Sequence, residues 1–225
     1  MRLITLQELI TESRQRADKE GSGFVQNTEL IGYINKSATK LYDLLVGAYG
    51  NDYYAETVAL PTVNNQQYYD LPANFYKLIG LDYMIGPTEA LTLKPYQFNE
   101  RNRFRIGTYW NAITGVAGPR YHITQNQISF LPIPDGVYSL EMHYVPVCPK
   151  MVDLTDTFDG INGWEEYIIL DAARKMLVKE ETDTTNLEKE IAAIVGRINQ
   201  MAENRDAGQS FRVTDVRNVD GYSFG

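Results

Sequence analysis

Between residues 164 and 204, apolar side chains recur at helical spacing on both sides of a short acidic break. Trp164, Ile168, Ala172 and Met176 follow one another at four-residue steps, flanked by Ile169, Ala173 and Leu177, which predicts a helix with a broad apolar face. Asn162 followed by Glu165 has the form of a capping box, and Glu166 adds an acid to the opening turn. Residues 180–184 contain no apolar side chain, so the face ends there. Thr185 with Glu188 then predicts the start of a second helix, with Leu187, Ile191, Ile194, Ile198 and Met201 as its apolar positions. Their alternating steps of four and three residues make a narrow seam that must face another helix.

The N-terminal third supplies partners for that seam. Thr5 with Glu8 predicts a capped helix carrying Leu6, Leu9, Ile10 and Ala17, broken by Gly21-Ser22-Gly23. Asn27 or Thr28 caps the next, which holds Leu30, Ile34, Ala38, Leu41 and Leu45 in register and is closed by Gly47 and Gly50. The expected fold class is therefore α+β. A four-helix domain is built from both chain ends, 1–50 and 162–204, with a mostly antiparallel β domain inserted at 51–150 and a connection at 151–161.

The pattern changes at Asn51. Residues 53–63 are rich in aromatic and β-branched side chains, Asn64-Asn65 signals a turn, and 67–71 resumes as a strand, so the pair predicts a hairpin. Residues 75–85 predict another strand, 94–101 a short helix begun by Pro95, and 107–119 a loop. A second hairpin turns at Gln125-Asn126, and 137–147 alternates Tyr138, Leu140, Met142 and Tyr144 on one face. Five or six strands are expected in all.

The net charge of −8 is unevenly placed: residues 151–225 hold 15 acids and 8 bases, the first 150 hold 14 and 13. An acidic C-terminal third is a poor tight binder of nucleic acid and would suit a surface past which DNA moves; on the charge alone a solvated helix face is the better reading. No apolar run approaches the roughly 20 residues of a membrane span. Residues 1–10 lack the basic start and long apolar core of a signal peptide, so a protein made and kept in the cytoplasm is expected. Cys148 is the only cysteine, which excludes an intrachain disulfide.

Motifs for chemistry are sparse. His122 and His143 lie on predicted strands without ligands at a metal spacing, and Cys148 lies between Val147 and Pro149 with no nearby base. Asp153, Asp156 and Asp159 have a spacing loosely like a calcium loop but lack its distal Glu, so Asx turns are the better reading. No phosphate loop, nucleophile elbow or dinucleotide fingerprint occurs. No catalytic residue, metal or cofactor is expected. Arg101, Arg103 and Arg105 would share one face if extended, either to bind phosphate or carboxylate or as a solvated strand edge. Residues 205–225 have no helical face yet carry Phe211, Val213, Val216, Tyr222 and Phe224, with Arg212 and Arg217 around Asp215. That composition predicts an extended arm that orders on a partner.

Several stretches together resemble the head-to-tail connector (adaptor) proteins of tailed bacteriophages. They are the N-terminal helix pair, Tyr69-Asp70-Leu71-Pro72-Ala73-Asn74-Phe75-Tyr76-Lys77-Leu78-Ile79, the helix opening Trp164-Glu165-Glu166-Tyr167-Ile168-Ile169 with Ala172-Ala173-Arg174-Lys175, and Phe211-Arg212-Val213-Thr214-Asp215-Val216-Arg217. The resemblance implies a ring, usually dodecameric, docked beneath the portal protein at the head–tail junction of the virion. Its helical domains would pack side by side, its C-terminal arms would engage the portal, and its β part would face a nozzle or tail-tube protein. Double-stranded DNA would pass through without specific binding. Two other classes compete: a tail-fibre-associated or carbohydrate-binding β module, from the Tyr-, Asn- and Trp-rich middle, and a hydrolase using carboxylates that leave no motif.

Overall fold

The computed structural model describes residues 3–105, 110, 118–161 and 163–203. It is an α+β structure with four α-helices and two larger, mainly antiparallel sheets. The chain opens with a short strand, β1 (Leu3–Thr5), that runs directly into α1 (Leu6–Arg16). Thr5 closes the expected capping box: its Oγ1 accepts from Glu8 N at 3.2 Å, and Glu8 Oε2 accepts from Thr5 N at 2.8 Å. α2 (Asn27–Tyr49) has no side-chain cap, because Asn27 lies inside the helix. Its Oδ1 instead accepts from Arg14 Nη2 at 2.8 Å, and the same guanidinium holds Val25 O, which fixes the α1–α2 loop. Gly50, at φ 98°, ends α2 in a conformation that favours glycine.

Among the described residues eight strands follow where five or six were expected: β2 (Glu56–Ala59), β3 (Tyr68–Asp70), β4 (Phe75–Met84), β5 (Ala90–Thr92), β6 (Lys94–Pro95), β7 (Arg120–Thr124), β8 (Gln127–Leu131) and β9 (Leu140–Pro146). They form two four-stranded sheets, ordered β2-β9-β4-β5 and β3-β8-β7-β6. All pairings are antiparallel except β6 with β7. The expected hairpin of 53–63 with 67–71 does not form: β2 pairs with β9, and β3 with β8 in the other sheet. The pairing with the β9 side runs on past Pro61, with Leu60 N donating to Leu140 O at 2.8 Å and Thr62 N to Tyr138 O at 2.9 Å, so this stretch is committed to a strand far away in sequence. The expected helix at 94–101 is also replaced, by β6 and a single 3-10 turn, Phe98–Glu100. Tyr96 is buried and its N–H donates to Tyr121 O at 3.0 Å, which holds this stretch on the sheet instead. The β7–β8 hairpin and the alternation along β9 are as expected.

The two sheets share one core, with Tyr69, Ile128 and Phe130 from one and Leu81, Leu140, Met142 and Tyr144 from the other. Trp110, expected in a loop, is buried at its centre and donates from Nε1 to Pro132 O at 2.9 Å. The chain then returns through β10 (Thr157–Asp159), which pairs antiparallel with β1 and brings residues 157–159 beside the chain start. Asn35 anchors the return by imitating a strand: its side-chain amide donates to Met151 O and its Oδ1 accepts from Met151 N, both at 2.9 Å.

α3 (Glu166–Lys179) and α4 (Thr185–Glu203) complete a second core with α1 and α2. The expected capping box at the start of α3 involves Asn162, which lies outside the described residues; no side-chain cap is seen at Glu165. At α4 the cap falls earlier than expected, where Asp183 Oδ1 accepts from Thr185 N at 3.0 Å. α3 packs on all sides, with Ile168, Ile169, Leu170, Asp171, Ala172, Ala173 and Met176 buried. On α4, Leu187, Ile194 and Ile198 are buried and Ile191 packs at the edge, but Met201 is 54% exposed. α4 has 19 residues to α3's 14, ~28 Å against ~21 Å, and the Arg197 guanidinium lies over Trp164 at the start of α3. One turn further on, Met201 has outrun its neighbour.

Asp171 is 2% exposed and takes hydrogen bonds from Ser37 Oγ at 2.8 Å, Arg174 Nη2 at 2.9 Å and Nε at 3.2 Å, while Lys175 Nζ lies 2.7 Å from its Oδ2. Burial pushes its pKa up, but the donors from Lys175, Arg174 and Ser37 outweigh that and hold the carboxyl well below the usual range. Asp171→Ala strands Lys175 and is expected to destabilise by about 3–5 kcal/mol in urea unfolding at pH 7. Because the folded-state pKa is depressed, this contribution is full above about pH 4 and fades as the pH drops below it, so wild type and variant should converge in acid. Separately, Ile198→Asp should unfold the helical core, whereas Met201→Asp should leave thermal unfolding within about 0.5 kcal/mol of wild type.

Candidate assembly surfaces

Among the described residues, those singled out from the sequence do not converge on one cleft. The arm residues Phe211, Arg212, Val213, Asp215, Val216, Arg217, Tyr222 and Phe224 lie outside the described residues. The α4 seam points into the helical core through Leu187, Ile194 and Ile198, so it builds the subunit. Arg101, Arg103 and Arg105 do not form an extended row, because 101–105 is turn backbone, with Arg103 N donating to Glu100 O at 2.9 Å. Arg101 Cζ sits 4.5 Å from the Phe98 ring centre and Arg103 Cζ 6.0 Å from that of Phe104.

The histidines and the cysteine have structural surroundings. His122 lies among rings, 5.2 Å from Tyr96 and 5.9 Å from Phe98. Cys148 is half-buried beside the α2 end, and desolvation pushes its thiol up to about 11, which keeps it a thiol at neutral pH. Asp156 Oδ2 accepts from Val152 N at 2.7 Å and Asp153 N at 2.9 Å, and Asp159 Oδ1 from Ile161 N at 3.1 Å, so two of the three aspartates close local turns.

One constellation escaped the sequence reading. Thr57 Oγ1 lies 2.8 Å from His143 Nδ1, His143 Nε2 lies 3.2 Å from Asp82 Oδ2, and Thr92 Oγ1 donates to Asp82 Oδ1 at 2.6 Å. A hydroxyl, an imidazole and a carboxylate in line resemble a nucleophilic relay. The pairing explains them more simply. Thr57 is opposite His143 and Thr92 opposite Asp82, so the four residues are cross-strand neighbours running over β2, β9, β4 and β5 on the outer face of one sheet. Only strand register brings them together, and register is not visible in a single sequence.

The motif 69–79 proves to be a crossing between sheets. Tyr69 Oη accepts from Val63 N at 2.8 Å and lies 3.0 Å from Gln66 O, which pins the loop before β3. Phe75 N donates to Pro72 O at 2.9 Å to make the turn, and Phe75 then stacks on Tyr144 at 5.8 Å. Beyond that pinned loop the sandwich has an apolar tip. The loops at 60–66 and 132–138 are joined by Thr62 N to Tyr138 O at 2.9 Å and Asn65 N to Pro134 O at 2.8 Å, and they expose Val63, Ile133 and Val137, the last 77% exposed. Among the described residues no helix is long and apolar enough to cross a membrane.

A family model described as the SU10 adaptor protein matches residues 4–215, which takes in all four helices, both sheets and the chain beyond α4 as far as Asp215. The chain belongs to the SU10 adaptor protein family. It is a bacteriophage structural adaptor and a component of the virion. No curated protein matches the chain. For an SU10 adaptor, the motifs at 69–79 and 164–175 are legible as scaffold: one carries the chain between sheets, and the other sets Trp164 Nε1 3.3 Å from Tyr49 Oη at the end of α2. Tyr69→Phe removes the acceptor of Val63 N and should cost about 1–3 kcal/mol in chemical unfolding. A change within error would mean that the loop is held by other contacts.

Proposed function

We propose that this SU10 adaptor forms a ring, dodecameric like the connectors it resembles, that joins the portal vertex of the head to the tail and continues the DNA channel. The match from residue 4 to 215 is the observation that carries this reading, because it spans the helices, the sandwich and the first half of the arm together. In this arrangement 1–50 and 162–204 form the ring-building helical domain. Its α4 seam is spent on its own core, so neighbouring copies meet through other faces. The inserted domain, 51–150, projects its apolar tip towards the next tail component, a nozzle or tail-tube protein. β9 runs from the α2 contact at Val145 back to Leu140 near that tip, so the tip stands roughly 20 Å from the helices.

The arm, 205–225, engages the portal. Phe211, Val213, Val216, Tyr222 and Phe224 supply apolar contact, and Arg212, Asp215 and Arg217 set its register. One arm alone binds weakly, but repetition around a ring raises the effective concentration of every further contact. Assembly and sealing are non-covalent, and His122, His143 and Cys148 serve packing and strand pairing. The protein is made in the host cytoplasm and ends at the head–tail junction. Truncation after Asn204 should leave a folded subunit that no longer joins portal-containing heads, read by co-sedimentation. Docking of the truncated chain with unchanged affinity would place the attachment surface elsewhere.

A further inference from the structure

One edge of the sandwich is locally basic in this acidic chain. Residues 94–120 hold five bases, Lys94, Arg101, Arg103, Arg105 and Arg120, against one acid, Glu100. That is a local +4, so the remainder of the chain carries −12. Lys94 and Arg120 are direct partners in the parallel β6–β7 pairing, which sets two cations side by side. Arg103 and Arg120 also gather round one ring, with their Cζ atoms 6.0 and 5.2 Å from the centre of Phe104. Like charges in such positions repel. Among the described residues the cluster has one carboxylate pairing, Arg103 to Glu100, and that is long at 3.9 Å.

The fold therefore assembles cations here and neutralises them only in part, which leaves a site for anions from outside. Rings lie beside Arg101, Arg103 and Arg120. Arg101 Nη1 donates to Phe98 O at 3.0 Å, and a guanidinium has five N–H donors, so others can meet phosphate oxygens. Phe98, 61% exposed under Arg101, adds an aromatic surface. The cations lie on turn backbone and at a strand edge, spread from Lys94 to Arg105 without fixed ion-pair geometry. Such a spread suits a polymer with a phosphate at every step better than the few fixed carboxylates of a protein surface.

We infer that this edge binds double-stranded DNA through its phosphates, without reading sequence. The inference goes beyond the adaptor role and is testable on the isolated protein, so failure of portal docking would leave it standing. The probe is a labelled 30-base-pair duplex of random sequence, titrated with the full chain by fluorescence anisotropy. Four phosphate contacts predict that affinity falls by about a hundredfold between 50 and 200 mM salt. The combined change Arg101→Gln, Arg103→Gln, Arg105→Gln and Arg120→Gln should weaken binding at least tenfold at 50 mM salt. The same four positions as Lys should retain most of it. Lys36→Gln and Lys189→Gln, exposed on the helices, should change nothing. If the fourfold Gln protein melts early, Arg103→Gln with Arg105→Gln alone, both exposed, should still flatten the salt dependence.

No binding of the wild-type chain at 50 mM salt would overturn the inference, as would undiminished binding by the Gln variants. Tighter binding of a single strand than of the duplex would also overturn it, because Phe98 would then be a base-stacking platform. Variants that change self-association in sedimentation but not DNA binding would assign the edge to an acidic protein surface instead.

Discussion

A carboxylate buried between two helices fixes how the helical part of this protein is put together. Asp171 is almost wholly buried, so its charge must be met where it lies, and Ser37, Arg174 and Lys175 meet it at hydrogen-bonding distance, with Lys40 of α2 reaching in from the surface at 3.5 Å. An apolar face tolerates small slides and rotations, but this group does not. It allows one rotation of α3 and one height against α2, and Ala172 and Ala173 beside it let the backbones come close. α1 and α4 then pack against a core helix already set in position. The β1–β10 pairing carries the same register to the chain start.

The sandwich has a different economy. Its core is aromatic, with the Trp110 ring stacked on Tyr138 at 4.9 Å and edge-on to Phe130 at 5.6 Å. Most of its polar specificity is on the outside, in the Thr57–His143–Asp82–Thr92 ladder and in Glu56, which accepts from Tyr144 Oη at 2.9 Å. A hydroxyl, imidazole and carboxylate in sequence is therefore not in itself a catalytic site. On a sheet face they also pin register, which a one-residue slip would otherwise destroy.

Helices were legible where a period of 3.6 repeated over several turns, as at Leu30 to Leu45 and Leu187 to Ile198. Both ends of those helices were less so, because caps depend on single residues: Asp183 does the work expected of Thr185, and Asn27 serves Arg14 instead of a cap. Strands were found but wrongly partnered at β2 and β3, since alternation reveals a face and not a neighbour. The Arg101–Arg105 alternation was misleading for the same reason: a period of two in five residues fits a strand and a run of turns equally. Trp110 carried no periodic signal at all, and its burial depends on strands far away in sequence. The segments 69–79 and 164–175 that carry the resemblance are scaffold: one takes the chain from one sheet to the other, and the other opens the buried helix α3.

Tyr42 sits where the helices give way to the sandwich, and it touches the chain on both journeys. Its ring stacks on Tyr54 at 4.5 Å as the chain leaves α2, and its hydroxyl donates to Pro146 O at 2.9 Å as β9 ends. One side chain thus clasps the departure and the return, much as a ring binder holds a page by its margin. What is written on the page can then change. Strands and loops between residues 54 and 146 can be lengthened, shortened or replaced over evolutionary time while the margin, and the helices that hold it, stay the same.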